Sequence, residues 1–271
     1  MIYFKRLIFL FLITSSCQSN GQLKIEGDIN NSIDEASAAE ITTQSDLIWT
    51  IQDSGNDSEL YALNTNGNIV RDIAITNASN IDWEDLTSDN EGNIYIGDFG
   101  NNNEKRKLFR ILKIKHQDLN KSRVKAEIIE FTLPKKQDSK DFEAFFFFKN
   151  SFYIISKENK KFIVLKVPNE IGRHEAIIRS DYNLDGKNNK ITSADISNDG
   201  KVVVLLNHDK LWKLSNFEDD DFFSGNIEAL SFGHNSQKEG VGFKNDSIVY
   251  LTDERNGVEG GNIYTFDLSG F

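Results

Sequence analysis

From residue 22 onward, short runs of Ile, Val, Phe, Tyr and Leu alternate with clusters of Asn, Asp, Gly and Ser, and no stretch keeps a helical period for three turns. The pattern predicts an all-β body of short strands and tight turns. The runs also repeat. Each unit has an acidic residue opening an apolar strand, a second strand ending on a polar residue, a third that is often aromatic, and a fourth outer strand. The first unit opens at Glu35, with strands expected over 47–53, 59–63 and 69–75, and the second at Glu84, with 93–98, 108–112 and 126–131. The third opens at Glu143 (151–157, 162–167, 174–178), the fourth at Asp195 (202–207, 211–214, 227–232) and the fifth at Glu239 (248–253, 263–267).

The fifth unit lacks a fourth strand after it. Residues 23–29, which precede the first unit without a partner, supply one and close a ring. Four strands per unit in radial repetition describe a β-propeller, here of five four-stranded blades in a single domain over 22–271. The openers lie 44 to 59 residues apart, near the roughly 40 to 50 of a blade. The longest interval carries a charged stretch at 115–123 and a polar loop at 135–140. Six blades follow instead if 77–82 or 179–192 holds a degenerate unit. A β-sandwich built from the same hairpins would not require one opener to recur five times. Four consecutive aromatics, Phe145 to Phe148, predict a strand covered on both faces, and Trp49, Trp83 and Trp212 are expected to pack in the core.

The N-terminus has a different pattern. A basic leader with Lys5 and Arg6 precedes a seven-residue apolar run, 7–13, then Thr14-Ser15-Ser16 and the only cysteine, Cys17. Seven residues make about 10 Å of helix, too short to cross a bilayer, so 1–16 is expected to be an export signal. Small residues before a lone cysteine match the lipoprotein processing box, although Thr14 departs from its usual aliphatic residue. Cys17 is then the acylated (palmitoylated) first residue, 17–21 a tether, the partner a lipid bilayer, and the location the bacterial cell envelope, on the outer membrane facing the periplasm or the cell surface.

Composition narrows the function. The chain has 31 Lys and Arg against 42 Asp and Glu, a net charge of −11, which argues against nucleic acid as a partner. One cysteine excludes an intramolecular disulfide. Four histidines, His116, His174, His208 and His234, show no ligand spacing, and no nucleophile elbow is present.

The segments Asp82-Trp83-Glu84-Asp85 and Gly97-Asp98-Phe99-Gly100-Asn101-Asn102 resemble those of a group of secreted bacterial β-propeller proteins, lipoproteins among them. The resemblance spans nearly all of the body and implies the fold, without a biochemical role. A ring of inner-strand carboxylates is similar, more distantly, to calcium-dependent lactonase and gluconolactonase propellers, an analogy of architecture.

The repeat places Glu35, Glu84, Glu143, Asp195 and Glu239 on the innermost strands, around one end of a narrow channel. Asp53, Asp98, Lys157, Asn207 and Asp253, at the ends of the second strands, form a neighbouring ring. Eight acids so confined must raise one another's pKa, recruit a cation, or accept backbone N–H groups of the next blade. Oxygen-only ligands favour Ca²⁺, with the five openers as its ligands. Asn101 and Asn102, in a polar loop at the mouth, join the second ring as candidate ligand-binding groups. His208, beside Asn207, is a candidate general base, or a surface histidine. Arg255, among acids, is expected to be paired. Two functions follow. One is an envelope-anchored binding or scaffold module for a glycan, peptide or protein. The other is a calcium-dependent lactonase or esterase in which Glu84 or Glu239 activates water.

Overall fold

The computed structural model describes residues 23–269; Cys17 and the leader lie outside them. Five sheets stand radially around one axis. The second blade runs outward through Trp83–Ser88, Ile94–Asp98, Phe109–Ile114 and Glu127–Thr132. Phe142–Phe148, Ser151–Ser156, Lys161–Pro168 and Ile177–Asn183 make the third. The fourth contains Ser193–Ile196, Val202–Leu206, Lys210–Ser215 and Asn226–Ser231. In the last, Lys238–Asn245, Ile248–Asp253 and Asn262–Asp267 are completed by Lys24–Asp28, antiparallel to the third strand. The N-terminal segment therefore closes the ring, as its lack of another partner predicts.

The first blade is the least regular. Ile48–Thr50, Glu59–Leu63 and Ile69–Ile75 pair in order, while residues 35–40 form the inner edge. There Glu40 and Trp49 exchange both backbone hydrogen bonds, and Ser37 donates to the Ile51 carbonyl at 3.0 Å. Ala38, at φ 125°, interrupts the ladder between them.

Neither 77–82 nor 179–192 hides a sixth blade. The charged insert of the second unit instead sends Arg123–Val124 across to lie parallel to the outer strand of the first blade, and Gly172–Glu175 adds in the same way to the second. These additions cover outer strand edges that would otherwise offer free N–H and C=O groups.

Blade faces make the core, because each is apolar on both sides. Five buried clusters occupy the five blade interfaces. The Phe run shows the rule. Phe145 and Phe147 pack toward the second blade, whereas Phe146 and Phe148 pack toward the fourth, so alternation holds and both faces are apolar. Trp49, Trp83 and Trp212 are all buried, as expected.

Candidate functional site

Polar side chains on the inner strands stitch one blade to the next. Thr87 accepts from Phe147 N–H at 3.1 Å, Ser193 from Val241 N–H at 3.0 Å and Asp195 from Phe243 N–H at 2.7 Å; Thr252 donates to the Ala38 carbonyl at 3.1 Å. Asp85 goes further and bridges three blades. Its carboxylate, wholly buried, accepts Leu86 N–H at 3.0 Å, Phe145 N–H at 3.2 Å, Ala194 N–H at 3.2 Å and the Ser193 hydroxyl at 2.9 Å. These bonds carry it across the ring, between the bulged ends of the inner strands, the first mouth, and their far ends, the second.

The acidic openers sit at the first mouth because of a repeated backbone defect. Trp83 pairs with Asp98 and Asp85 with Gly97, leaving Glu84 as the extra residue of a bulge; Glu143 and Glu239 occupy the same place in their blades. A bulge turns its unpaired residue out of the ladder, here toward the axis. Ser37 holds the corresponding place in the first blade, since its N–H donates to the Ile51 carbonyl at 3.0 Å. Glu35 stands two residues earlier, aligned with Asp141, because Asp53 N–H donates to the Glu35 carbonyl at 3.2 Å as Lys157 N–H does to that of Asp141 at 2.9 Å; its side chain is exposed and held by Asn56 at 2.6 Å.

Asp195 is not their equivalent. The register of the fourth blade and its Thr192 N–H to Leu206 carbonyl bond put Thr192 at the opener's place, and Asp195 aligns with Thr87. The ring of five openers is therefore corrected to three, Glu84, Glu143 and Glu239, with Ser37 and Thr192 in the other two places. Asp195 lies at the second mouth, where both of its oxygens accept backbone N–H groups.

At the first mouth, carboxylate oxygens of Asp53, Asp82 and Glu84 lie within 4.8 Å of one another. Two oxygens on one calcium ion, each at about 2.3–2.6 Å, can stand at most about 4.6–5.2 Å apart, so the span fits a shared ion. Gly100 makes the room. A Cβ there would fall 1.8 Å from Glu84 Oε1 and 2.6 Å from the Asp82 carboxyl carbon. Glu84 is only 4% exposed, yet among the described residues no N–H or O–H donates to its carboxylate.

Around this trio, Lys157 pairs with Glu143 at 2.7 Å and His208 Nε2 lies 3.0 Å from Glu239 Oε1. Burial pushes Glu84 well above the usual carboxylate range, and the charges of Glu143, Asp53 and Asp82 add to it. Burial likewise raises Asp53 and Asp82, and lifts Glu143 to about 8 against the pull of Lys157. Glu254 rises to about 7, by burial and then by Glu239 and Asp53. For Lys157, burial alone would lower the pKa, but Glu143, Glu239 and Glu84 outweigh it and the net shift is upward. A mouth so charged favours a cation or retained protons.

Of the second ring, Asp53 and Lys157 reach this site. Asp98 does not, because Arg106 and Arg110 take its buried carboxylate. Asp253 accepts Asn262 N–H and the Tyr264 hydroxyl, and Asn207 accepts Asp209 and Lys210 N–H. Asn101 pins its own loop through Ser139 and Lys140, while Asn102 is exposed. Arg255 is paired, as expected, with Asp28 at 2.6 Å. Sequence reasoning missed Asp82, Asp85 and Glu254 as functional positions. Two of these stand in the Asp82-Trp83-Glu84-Asp85 segment that marked the resemblance.

A family model described as SdiA-regulated matches residues 14–257. No curated protein matches the sequence. Among solved structures, the chain is similar to the PQQ-bound aldose sugar dehydrogenase of Streptomyces coelicolor, with TM-score 0.51 and 7% identity over 91% of this chain and 98% of that one. It also matches hydrazine synthase of Kuenenia stuttgartiensis, with TM-score 0.41 and 13% identity, covering 85% of this chain and 58% of that one. At 7% identity, the likeness to the dehydrogenase shows a shared fold alone.

Proposed function

The chain belongs to the SdiA-regulated family, and from that premise we propose that it is an envelope-anchored binding module whose acidic mouth takes up Ca²⁺. The ion is held by Asp53, Asp82 and Glu84 and presents open coordination positions to oxygen atoms of a glycan or peptide. One observation carries this reading: Glu84 is only 4% exposed and its carboxylate stands beside two others with no hydrogen-bond donor, an arrangement that disfavours its charged form unless a cation compensates it. The ion's oxygen-only donors suit calcium better than zinc. PQQ, which is bound to the Streptomyces enzyme, is a polycarboxylate and would meet like charge at the ion-free mouth.

The test is calorimetric titration of the purified, chelator-stripped chain with CaCl₂. Saturable one-ion binding is expected, weakened about tenfold or more by Glu84→Gln or Asp82→Asn. No binding heat, together with a melting curve indifferent to EGTA, would overturn the reading.

The His208–Glu239 pair favours a second reading, calcium-assisted hydrolysis of a lactone or ester. Glu239 would orient His208 to take a proton from water while the cation polarises the carbonyl. In that case His208→Ala abolishes turnover of a model lactone without changing calcium affinity; a variant as active as the parent would remove this reading.

Anchoring is proposed through acylated Cys17, which lies outside the described residues. Among those residues no helix is long and apolar enough to cross a membrane. Cys17→Ser is expected to shift the protein from the membrane to the soluble fraction with an unchanged melting temperature. Retention of the variant in membranes would count against the lipid anchor.

A further inference from the structure

The second mouth, at the far ends of the inner strands, lies three to five residues further along them than the bulges, roughly 10–16 Å away, beyond the level of Asp85. It opens on a cavity of about 260 Å³ lined by Glu40, Ser88, Asp195, Phe147, Phe148 and Phe243. Glu40 is 4% exposed and Asp195 7%. The Ser88 hydroxyl donates to Glu40 Oε1, but Oε2 is buried without any hydrogen-bond partner. Native proteins rarely leave a buried carboxylate oxygen unmatched, and the residue that carries this one lines the cavity.

We propose that this mouth binds a primary ammonium carried on an apolar stem, its head on Glu40 and Asp195 and its stem between Phe147, Phe148 and Phe243. A hard divalent ion fits poorly, because it requires about six to eight oxygens. Here both Asp195 oxygens already accept N–H groups, from Ile196 and Phe243 at 2.7 Å each, and Glu40 Oε1 accepts Ser88. An ammonium brings its own three donors and can use one vacant oxygen together with remaining lone pairs. The aromatic wall supports the choice. Phe147, Phe148 and Phe243 offer apolar surface to the stem, while the rim's own Lys149 ammonium, paired with Asp219, already sits 4.9 Å over the Phe148 ring, which leaves the head to the two carboxylates.

Burial raises Glu40 well above the usual range, with Asp195 and Asp85 adding to the effect, and burial lifts Asp195 to about 7 against the two N–H bonds it accepts. The other charged groups lining the cavity are Lys149 and Asp199 at the rim. The pair therefore gains negative charge as pH rises through 7, and ammonium binding strengthens in the same direction.

The experiment titrates the purified chain with n-butylammonium chloride, using n-butanol as the uncharged probe, followed by NMR at pH 6 and pH 8. Saturable binding is expected at pH 8, weaker at pH 6, with butanol at least about tenfold weaker. Glu40→Gln should weaken ammonium binding about tenfold, and Phe148→Ala several-fold, each with a native melting transition. Glu84→Gln, at the other mouth, should leave it unchanged, so this site and the calcium site fail separately. Equal binding of butanol, or undiminished binding by folded Glu40→Gln or Phe148→Ala, would overturn the proposal, as would no binding at pH 8.

Discussion

Asp85→Ala is expected to cost at least about 4 kcal/mol and to lower the melting temperature by roughly 10 °C or more. The substitution leaves two backbone N–H groups of neighbouring blades, that of Leu86 and the Ser193 hydroxyl without their acceptor, all in the wholly buried centre of the ring. An unmatched buried donor costs about 1–3 kcal/mol, so four of them consume much of the 5–15 kcal/mol typical of a folded domain. Asp85→Asn should be milder. With its amide nitrogen toward Ser193, its oxygen still serves Phe145 and Ala194, and the Leu86 bond is lost. Urea unfolding of both variants checks the order Ala, then Asn, then parent. An Ala variant within about 1 kcal/mol of the parent would show that the three-blade bridge contributes little.

The same residue marks where the sequence stops being readable. Blade number and ring closure were legible because they rest on local signals: strand alternation, Asn/Asp/Gly turns and an unpartnered N-terminal strand. Asp85 acts across the ring on Ser193 and Ala194, more than a hundred positions away, and nothing local distinguishes it from its acidic neighbour Glu84. Asp195 shows a different failure. Matching acid to acid placed it with the openers, but the fourth blade has Thr192 at that place, and only the strand register reveals the three-residue offset. Asp98 follows the repeat faithfully, yet Arg106 and Arg110, within twelve positions, convert it from a mouth ligand into a buried ion pair. Asp82 joins the trio because the bulge at Glu84 and the bare Gly100 bring the carboxylates together. That convergence is a property of backbone geometry rather than of spacing.

Without added cation, the protein should be most stable at mildly acidic pH and lose stability as pH rises from about 5 to about 8. The sign follows from the buried acids. Glu143 at about 8, Asp195 at about 7 and Glu254 at about 7 are all raised by burial above their unfolded values, as are Glu84, Glu40 and Asp85. Over that window the folded chain holds more protons than the unfolded one, so a higher pH favours unfolding. Each pH unit across which one such proton is retained costs about 1.4 kcal/mol. Asp220 opposes this trend only at lower pH, because hydrogen bonds from Arg179, Lys166 and Tyr153 depress its pKa and its contribution is lost below about 4. Calcium should reverse much of the alkaline loss by replacing protons at Asp53, Asp82 and Glu84. At a hundred times its dissociation constant the ion adds about 2.7 kcal/mol at pH 8, and much less at pH 5, where protons compete for the same oxygens. Melting curves at the two pH values, with CaCl₂ and with EGTA, separate the contributions. The Glu84→Gln variant should flatten the pH profile and lose most of the calcium response, while a parent protein that grows more stable from pH 5 to pH 8 in EGTA would contradict the assignment of protonated acids to these mouths.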